Sequence, residues 1–297
     1  MTFNKIKLII GSLLCIVVLI VIYLQNNTYD SIVNIKSIND ISEASGYGIV
    51  YKKNSSSYII TNYHIVKNSK KIIINNKIEA KLLNGDEYED IAILEVLTTN
   101  FNVAKISKKL NSKIVYTINS VDLNKRIKGN MIEKDSDVLV NLSDGNYILK
   151  AIKTTLKLKP GNSGGPLFDN KNKVVGIVTM MDDNYGYAID INKALEVAKK
   201  LEKGKIIRPE INFQVASVKN KEVLNQYNLI TSIKEGVIVT KVFGNSNDIK
   251  VGDVITNING NSVIDVAHFK YYVYNSNGEI NLTLYRGKEK INAKIKG

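Results

Sequence analysis

From Ile6 to Leu24 the chain is almost uninterruptedly apolar, broken by Lys7, Gly11 and Ser12. As a helix rising about 1.5 Å per residue this stretch is about 28 Å long, the thickness of a bilayer core. Lys5 and Lys7 flank its start, which places residues 1–5 on the cytoplasmic side. Gln25-Asn26-Asn27-Thr28-Tyr29 follows, with no small-x-small cleavage site. The pattern therefore predicts an uncleaved signal anchor over 6–24, with a cleaved signal peptide as the alternative. Both place the remainder outside the cytoplasmic membrane, as a single-pass membrane protein or its released product. Residues 25–40 are polar and read as a stalk.

Beyond Ser45 the pattern changes to short apolar runs separated by Asn, Gly and Ser. Gly48-Ile49-Val50-Tyr51, Tyr58-Ile59-Ile60, Lys71-Ile72-Ile73-Ile74 and Ile91 to Val96 read as strands. Many short strands with turn signals between them predict an all-β barrel or sandwich. Residues 103–190 repeat the style and predict a second barrel. Between Asn192 and Glu202, Ala194, Leu195, Val197, Ala198 and Leu201 recur at helical spacing, and Gly204 is a stop signal. Ile206-Ile207-Arg208-Pro209 reads as a linker. Residues 210–297 form a second unit.

The most informative string is Pro160-Gly161-Asn162-Ser163-Gly164-Gly165-Pro166-Leu167-Phe168. Glycines on both sides let backbone fold closely around the Ser163 hydroxyl. The N–H groups of Gly161 and Ser163 are then the candidates to face the oxyanion of a tetrahedral acyl intermediate. Alone, the string also suits a plain glycine-rich hairpin. A serine nucleophile needs a base, and the chain has only two histidines. His268 falls in the second unit, whereas His64 ends the strand-like run Tyr58–Val66. Asp90 heads the apolar run Ile91–Val96, where an aspartate is costly to bury without a partner. A histidine after a strand and an aspartate before one also have ordinary surface and turn readings. Together, in the order His64, Asp90, Ser163, they predict a triad on a two-barrel scaffold.

These residues resemble the HtrA family of trypsin-like serine proteases. Thr61-Asn62-Tyr63-His64-Ile65-Val66 is similar to that family's histidine motif, Asp90-Ile91-Ala92-Ile93-Leu94 to its aspartate motif, and Gly161 to Leu167 to its nucleophile motif. Val174–Val178 and Gly186–Asp190 resemble the strands that close its second barrel. Glu235–Val242 and Lys250–Gly260 resemble a PDZ domain, whose tight turns Val251-Gly252-Asp253-Val254-Ile255 and Ile258-Asn259-Gly260 mark; that resemblance implies a groove helix over Ala267–Tyr274 and a late strand over Ile280–Arg286. The resemblance implies a mostly β protein: a chymotrypsin-like double β-barrel over 41–205, then a small α+β PDZ domain over 210–297. It implies cleavage of unfolded or misfolded proteins without cofactor or metal, and homotrimers in many members. It also implies capture of peptide C-termini by strand addition to the PDZ groove, with Ile211, Asn212 and Phe213 as the carboxylate loop.

Three departures from the family pattern bear on that expectation. Thr154-Thr155-Leu156-Lys157-Leu158-Lys159 lacks the aspartate usual before the nucleophile string, which leaves primary specificity open. Asn119-Ser120-Val121 stands where Gly-Asn-Pro is usual. Asn212 replaces a glycine; it either preserves that turn through a positive φ or marks a groove that has lost peptide binding. His268, on the expected groove helix, is either a ligand contact or a surface residue.

Composition changes this picture little. The chain carries 41 Lys+Arg against 28 Asp+Glu, a formal charge of +13. A surplus of that size points to anionic partners. The lysines, however, fall in scattered doublets such as Lys52-Lys53, Lys70-Lys71 and Lys199-Lys200, and no nucleic-acid motif accompanies them. Cys15 is the only cysteine and lies in the apolar N-terminal run, which excludes an internal disulfide; no Cys/His cluster suggests a metal site. The two functional classes left are an extracytoplasmic serine endopeptidase acting in quality control or regulated proteolysis, and a protease-fold binding or chaperone protein with weak or latent catalysis.

Overall fold

The computed structural model describes Ile16 and residues 31–98, 100–120, 122, 125–142, 145–204, 206, 209, 211–243, 248–276 and 278–295. The expected anchor over 6–24 lies outside the described residues, Ile16 apart. Among the described residues no helix is long and apolar enough to cross a membrane. The chain divides into two compact units, residues 1–136 with 151–205 and residues 137–150 with 206–297.

The first unit begins with β1 (Ile32–Ile38), β2 (Glu43–Lys53) and β3 (Ser57–Thr61), the one-turn helix α1 (Tyr63–Val66), then β4 (Lys71–Ile74), β5 (Ile78–Asp86) and β6 (Ile91–Val96). These strands close a barrel in the order β1-β2-β3-β6-β5-β4, with β1 meeting β4 at Ile35–Ile74. This corrects the stalk expected over 25–40, because its second half is a barrel strand. Ile-Val-Asn-Ile-Lys-Ser-Ile alternates, and Val33 and Ile35 enter the core beside Val50, Ile59, Ile65 and Leu94. The polar Asn34, Lys36 and Ser37 disguise that alternation. β5 was also not foreseen, since its Glu79, Lys81 and Asn84 dilute the apolar signal.

A second closed barrel has the order β10-β11-β12-β9-β8-β7. It comprises β7 (Ile114–Ile118), β8 (Arg126–Leu142), β9 (Gly145–Thr154), β10 (Pro166–Phe168), β11 (Val174–Met181) and β12 (Gly186–Asp190). Val115, Ile152, Leu156, Leu167, Val175 and Ala188 fill it. Residues 137–150, the far ends of β8 and β9, group with the C-terminal unit.

Helix α2 (Ile191–Glu202) matches the amphipathic pattern, burying Ala194, Val197, Ala198 and Leu201. The Asp190 carboxylate caps it by accepting from Asn192 N at 2.7 Å, and Lys199 and Lys200 suit the negative end of its dipole. α2 packs on β5 and β6 of the first barrel and on β11 and β12 of the second. Its Lys193 pairs with the buried Glu89 at 2.8 Å, and Asn84 Nδ2 donates to the Gly204 carbonyl past its end. Because α2 covers its outer side, β6 is buried nearly throughout, which is why Ile91–Val96 reads as a continuous apolar run.

The C-terminal unit holds β13 (Phe213–Ser217), α3 (Lys221–Gln226), β14 (Val237–Val242), β15 (Val254–Ile258), β16 (Asn261–Ser262), α4 (Val266–Tyr274), β17 (Ile280–Arg286) and β18 (Glu289–Ile295). The sheet order is β13-β14-β15-β17-β18, so β13 is an edge strand. Phe213, Val239, Ile255, Phe269, Ile280 and Leu284 belong to its core. Asp253 is fully buried and grips Arg286, whose Nε and one terminal nitrogen each lie 2.8 Å from a carboxylate oxygen.

Candidate active site

His64 sits on α1, the single turn that follows β3, and Asp90 immediately precedes β6. β3 and β6 are hydrogen-bonded neighbours, with Thr61 opposite Ala92. That pairing alone brings the two residues together. Asp90 adopts a left-handed backbone, φ 50°, which aspartate tolerates better than most residues. The turn aims its carboxylate at α1. Asp90 Oδ1 accepts from His64 N at 3.0 Å, and ring Nδ1 lies 3.0 and 2.9 Å from the two carboxylate oxygens. A carboxylate only accepts, so Nδ1 carries the proton and Nε2 is left as the basic nitrogen. From β11, Thr179 adds a third donor, its hydroxyl 2.6 Å from Asp90 Oδ2. Burial opposes the imidazolium, but the hydrogen bond to Asp90 and its charge outweigh it and hold the His64 pKa above its ordinary value.

Ser163 lies on a tight turn tied to its surroundings on all sides. Asn162 organises it: its N–H donates to Lys159 O at 3.1 Å, its Oδ1 accepts from Lys159 N at 2.8 Å, and its Nδ2 donates to Ile118 O at 2.8 Å. Gly164 N donates to Val178 O at 2.8 Å, and Tyr47 N to Ser163 O at 2.8 Å. Gly164 must be glycine, since a Cβ there would meet the Tyr47 carbonyl oxygen at 1.9 Å. Gly161 has a φ of 90°. Among the described residues the N–H groups of Gly161 and Ser163 donate to no protein acceptor, which leaves both available to an incoming oxyanion. The Ser163 hydroxyl donates to the Thr179 carbonyl at 3.1 Å rather than to His64. Beside it opens a cavity of about 180 Å³ lined by Leu158, Lys159, Ser163, Val178, Thr179 and Met180, among others.

In the C-terminal unit a larger cavity, about 500 Å³, lies between β13 and α4. Ile211, Phe213, Val215, Phe269 and Val273 give it an apolar lining, with Gln214 and Lys270 at its polar positions. Of the two readings open for Asn212, the turn through a positive φ is not the one found; its carbonyl accepts from Phe243 N at 2.7 Å, which extends the β13–β14 ladder. His268 does not line this cavity, because its Nδ1 is held 2.9 Å from Asp265, the cap of α4.

Two site residues were not singled out in the sequence. Asn62, fully buried, donates to the Asp90 carbonyl at 3.1 Å and accepts from Gly164 N at 2.7 Å. Thr179 lies 89 residues from the aspartate it contacts. Asn62 carried a signal, an amide at the end of the apolar run Tyr58–Val66 that has to find partners. Thr179 carried none.

Residues 46–177 match the Trypsin-like peptidase domain and residues 209–296 the PDZ domain. A "Serine protease HtrA-like" of Staphylococcus aureus (strain bovine RF122 / ET3-1) is 29% identical over 91% of this chain and 41% of its own length. One from strain MRSA252 is 30% identical over 84% of this chain and 37% of its own length. Across both domains the chain is similar to the HtrA-like serine proteases. It spans about two fifths of the length of these curated relatives. Among solved structures, the serine endoprotease from Yersinia pestis superposes with a TM-score of 0.66 at 23% identity, covering 92% of this chain and 96% of its own. HtrA-type protease AlgW with a decapeptide superposes with a TM-score of 0.68 at 19% identity, covering 92% and 97%. The HtrA fold is thus present here as a mostly β, trypsin-like double barrel followed by a PDZ domain.

Proposed function

We propose that the chain is a serine endopeptidase in which His64, Asp90 and Ser163 form the catalytic triad. The observation that carries this reading is the pair of bonds from His64, backbone and ring, to one carboxylate. They fix the tautomer and leave Nε2 as the base. Rotation of the Ser163 hydroxyl from the Thr179 carbonyl towards Nε2 starts the reaction. His64 takes the hydroxyl proton as Oγ bonds to the peptide carbonyl carbon, and Asp90 stabilises the imidazolium. The oxyanion is received by the N–H groups of Gly161 and Ser163; one such donor is worth about 3 kcal/mol of barrier. The imidazolium then protonates the leaving amine. Water attacks the acyl-enzyme through the same base, releasing the second product and restoring Ser163.

The cavity beside Ser163 has the dimensions and lining of a pocket for a medium-sized apolar side chain before the scissile bond. Unfolded or misfolded envelope proteins expose such residues, which suits a role in quality control or regulated proteolysis. The edge strand β13 and the apolar cavity beside it support capture of peptide C-termini by strand addition. The apolar run Ile6–Leu24 supports a single membrane span with the catalytic unit extracytoplasmic, and the family supports a homotrimer. A second reading, a latent enzyme serving as a binding or chaperone protein until activated, draws on the Ser163 hydroxyl bonded to Thr179.

Casein cleavage by the full chain and its Ser163→Ala variant, alongside fluorophosphonate labelling, decides between the two. Cleavage and labelling by the unsubstituted chain alone establish the peptidase. Neither labelling nor cleavage selects the latent reading, and cleavage unchanged in Ser163→Ala overturns the triad.

A further inference from the structure

A one-turn helix and a turn of the first barrel carry His64 and Asp90, and a turn of the second carries Ser163, so something has to fix the gap between the two walls. Thr179 reaches across with one hydroxyl. The second bridge is the Asn62 side-chain amide, and it holds backbone at both ends. Its Nδ2 donates to the carbonyl of Asp90, the residue with the left-handed φ, at 3.1 Å. Its Oδ1 accepts from the N–H next to the nucleophile, Gly164, at 2.7 Å. No part of Asn62 is exposed. It is not needed to cap α1, since its side chain makes no capping bond there. Nor is it the only acceptor for Gly164, which also reaches Val178 O at 2.8 Å. Its neighbour Thr61 strengthens the same crossing: the Thr61 hydroxyl donates to Tyr47 O at 2.6 Å, and Tyr47 N donates to Ser163 O at 2.8 Å.

We infer that Asn62 is a positioning residue: its amide clamps the Asp90 turn to the nucleophile turn and so sets the approach of Ser163 to His64. The inference rests on the triad reading above. An amide suits the task because it offers one donor and one acceptor in a fixed plane, matching one carbonyl and one N–H. Aspartate in its place keeps the acceptor for Gly164 but sets an oxygen against the Asp90 carbonyl. Serine is too short to reach both partners.

The test uses the full chain in detergent with Asn62→Ser and, as a second variant, Asn62→Asp. Fluorophosphonate labelling per folded molecule is expected to slow about 100-fold in each, the cost of a roughly 1 Å misplacement of catalytic groups. Peptide kcat falls with it while KM holds. The second readout does not depend on turnover. In Ser163→Ala protein the downfield proton resonance of His64 Nδ1–H reports the bond to Asp90, and adding Asn62→Ser is expected to move it upfield and broaden it. If both variants only lower the melting temperature, with labelling per folded molecule and the resonance unchanged, Asn62 merely fills the core and the inference is overturned. A chain that never labels, yet whose resonance responds to Asn62→Ser, refutes the base reading and leaves the clamp standing. A resonance that does not respond refutes the clamp whether or not the chain labels.

Discussion

Thr179 holds Ser163 and Asp90 at once: its carbonyl accepts the Ser163 hydroxyl at 3.1 Å and its own hydroxyl donates to Asp90 at 2.6 Å. One β11 residue therefore restrains the proposed nucleophile through its backbone and supports the proposed acid through its side chain. Thr179→Val separates the two, removing the hydroxyl and keeping the carbonyl. A hydrogen bond to a charged group is worth about 1.5–3 kcal/mol, so kcat/KM on the alkaline plateau is expected to fall about 10- to 100-fold. Steady-state hydrolysis of a peptide substrate checks it; an unchanged rate means that this bond does not support the acid.

The proposed mechanism needs His64 neutral, and its pKa is held above the ordinary histidine value near 6.5. The acidic limb of kcat/KM is therefore expected above that pH, with activity rising as His64 loses its proton. In Asp90→Asn the carboxylate that raises the pKa is gone and burial, which lowers it, remains, so the limb moves to lower pH. The plateau falls by about 10⁴-fold, the scale known for this substitution in chymotrypsin-type enzymes. Asparagine suits the left-handed φ at this position, so the backbone keeps its turn. Stability runs the opposite way. The charged His64–Asp90 pair contributes fully below the unfolded histidine pKa and is lost as pH rises through the folded one.

Two glycines of the nucleophile turn are expected to fail differently. Gly164→Ala drives a methyl against the Tyr47 carbonyl and should prevent the turn from folding. At Gly161 the nearest atom is an ordinary 3.6 Å away, so Gly161→Ala meets only the cost of its positive φ. The expected result is a folded protein with a displaced oxyanion donor and slow acylation. Melting curves and labelling rates, compared side by side, separate the two.

Leu158, Val178 and Met180 line the cavity beside Ser163. A peptide library varied at the residue before the scissile bond is expected to favour medium-sized apolar residues over Asp, Glu, Lys and Arg. A charged preference would rule out this cavity as the pocket that sets specificity.

In the C-terminal unit, Arg286→Met leaves the fully buried Asp253 carboxylate with only the Lys250 N–H, at 2.8 Å, among its described partners. Breaking a buried pair in this way costs about 3–5 kcal/mol. Because Arg286 is itself a third exposed, the lower end is expected. Calorimetry of the full chain should show the transition of this unit move while that of the first unit stays.

His64, Asp90 and Ser163, the residues of the proposed triad, could be picked out as candidates because each sits in a short local string whose residues serve one turn. The bridges were not, because they join residues far apart in sequence: Asn62 and Gly164 are 102 positions apart, Thr179 and Asp90 89. Strand patterns were readable where β-branched runs are dense, as in Lys71–Ile74 and Ile91–Val96. They were hidden where polar residues fill the outward face, as in β1 and β5. In the C-terminal unit the missed α3 buries no residue, so no apolar stripe announces it. At Asn212 one of the two open readings, a positive φ, gave way to ladder pairing through its carbonyl.

Helix α2 touches strands of both barrels, and three polar ties anchor it: Asp190 at its start, Lys193 to Glu89, and Asn84 beyond its end. Glu89 is the chain neighbour of Asp90, so the helix acts as a splint set beside the acid of the proposed triad. The two barrels are consequently tied to each other through one helix. Loosening α2 should disassemble the catalytic cleft before either barrel melts, and a protease that nicks the chain near Gly204 would silence the enzyme without touching any residue that handles substrate.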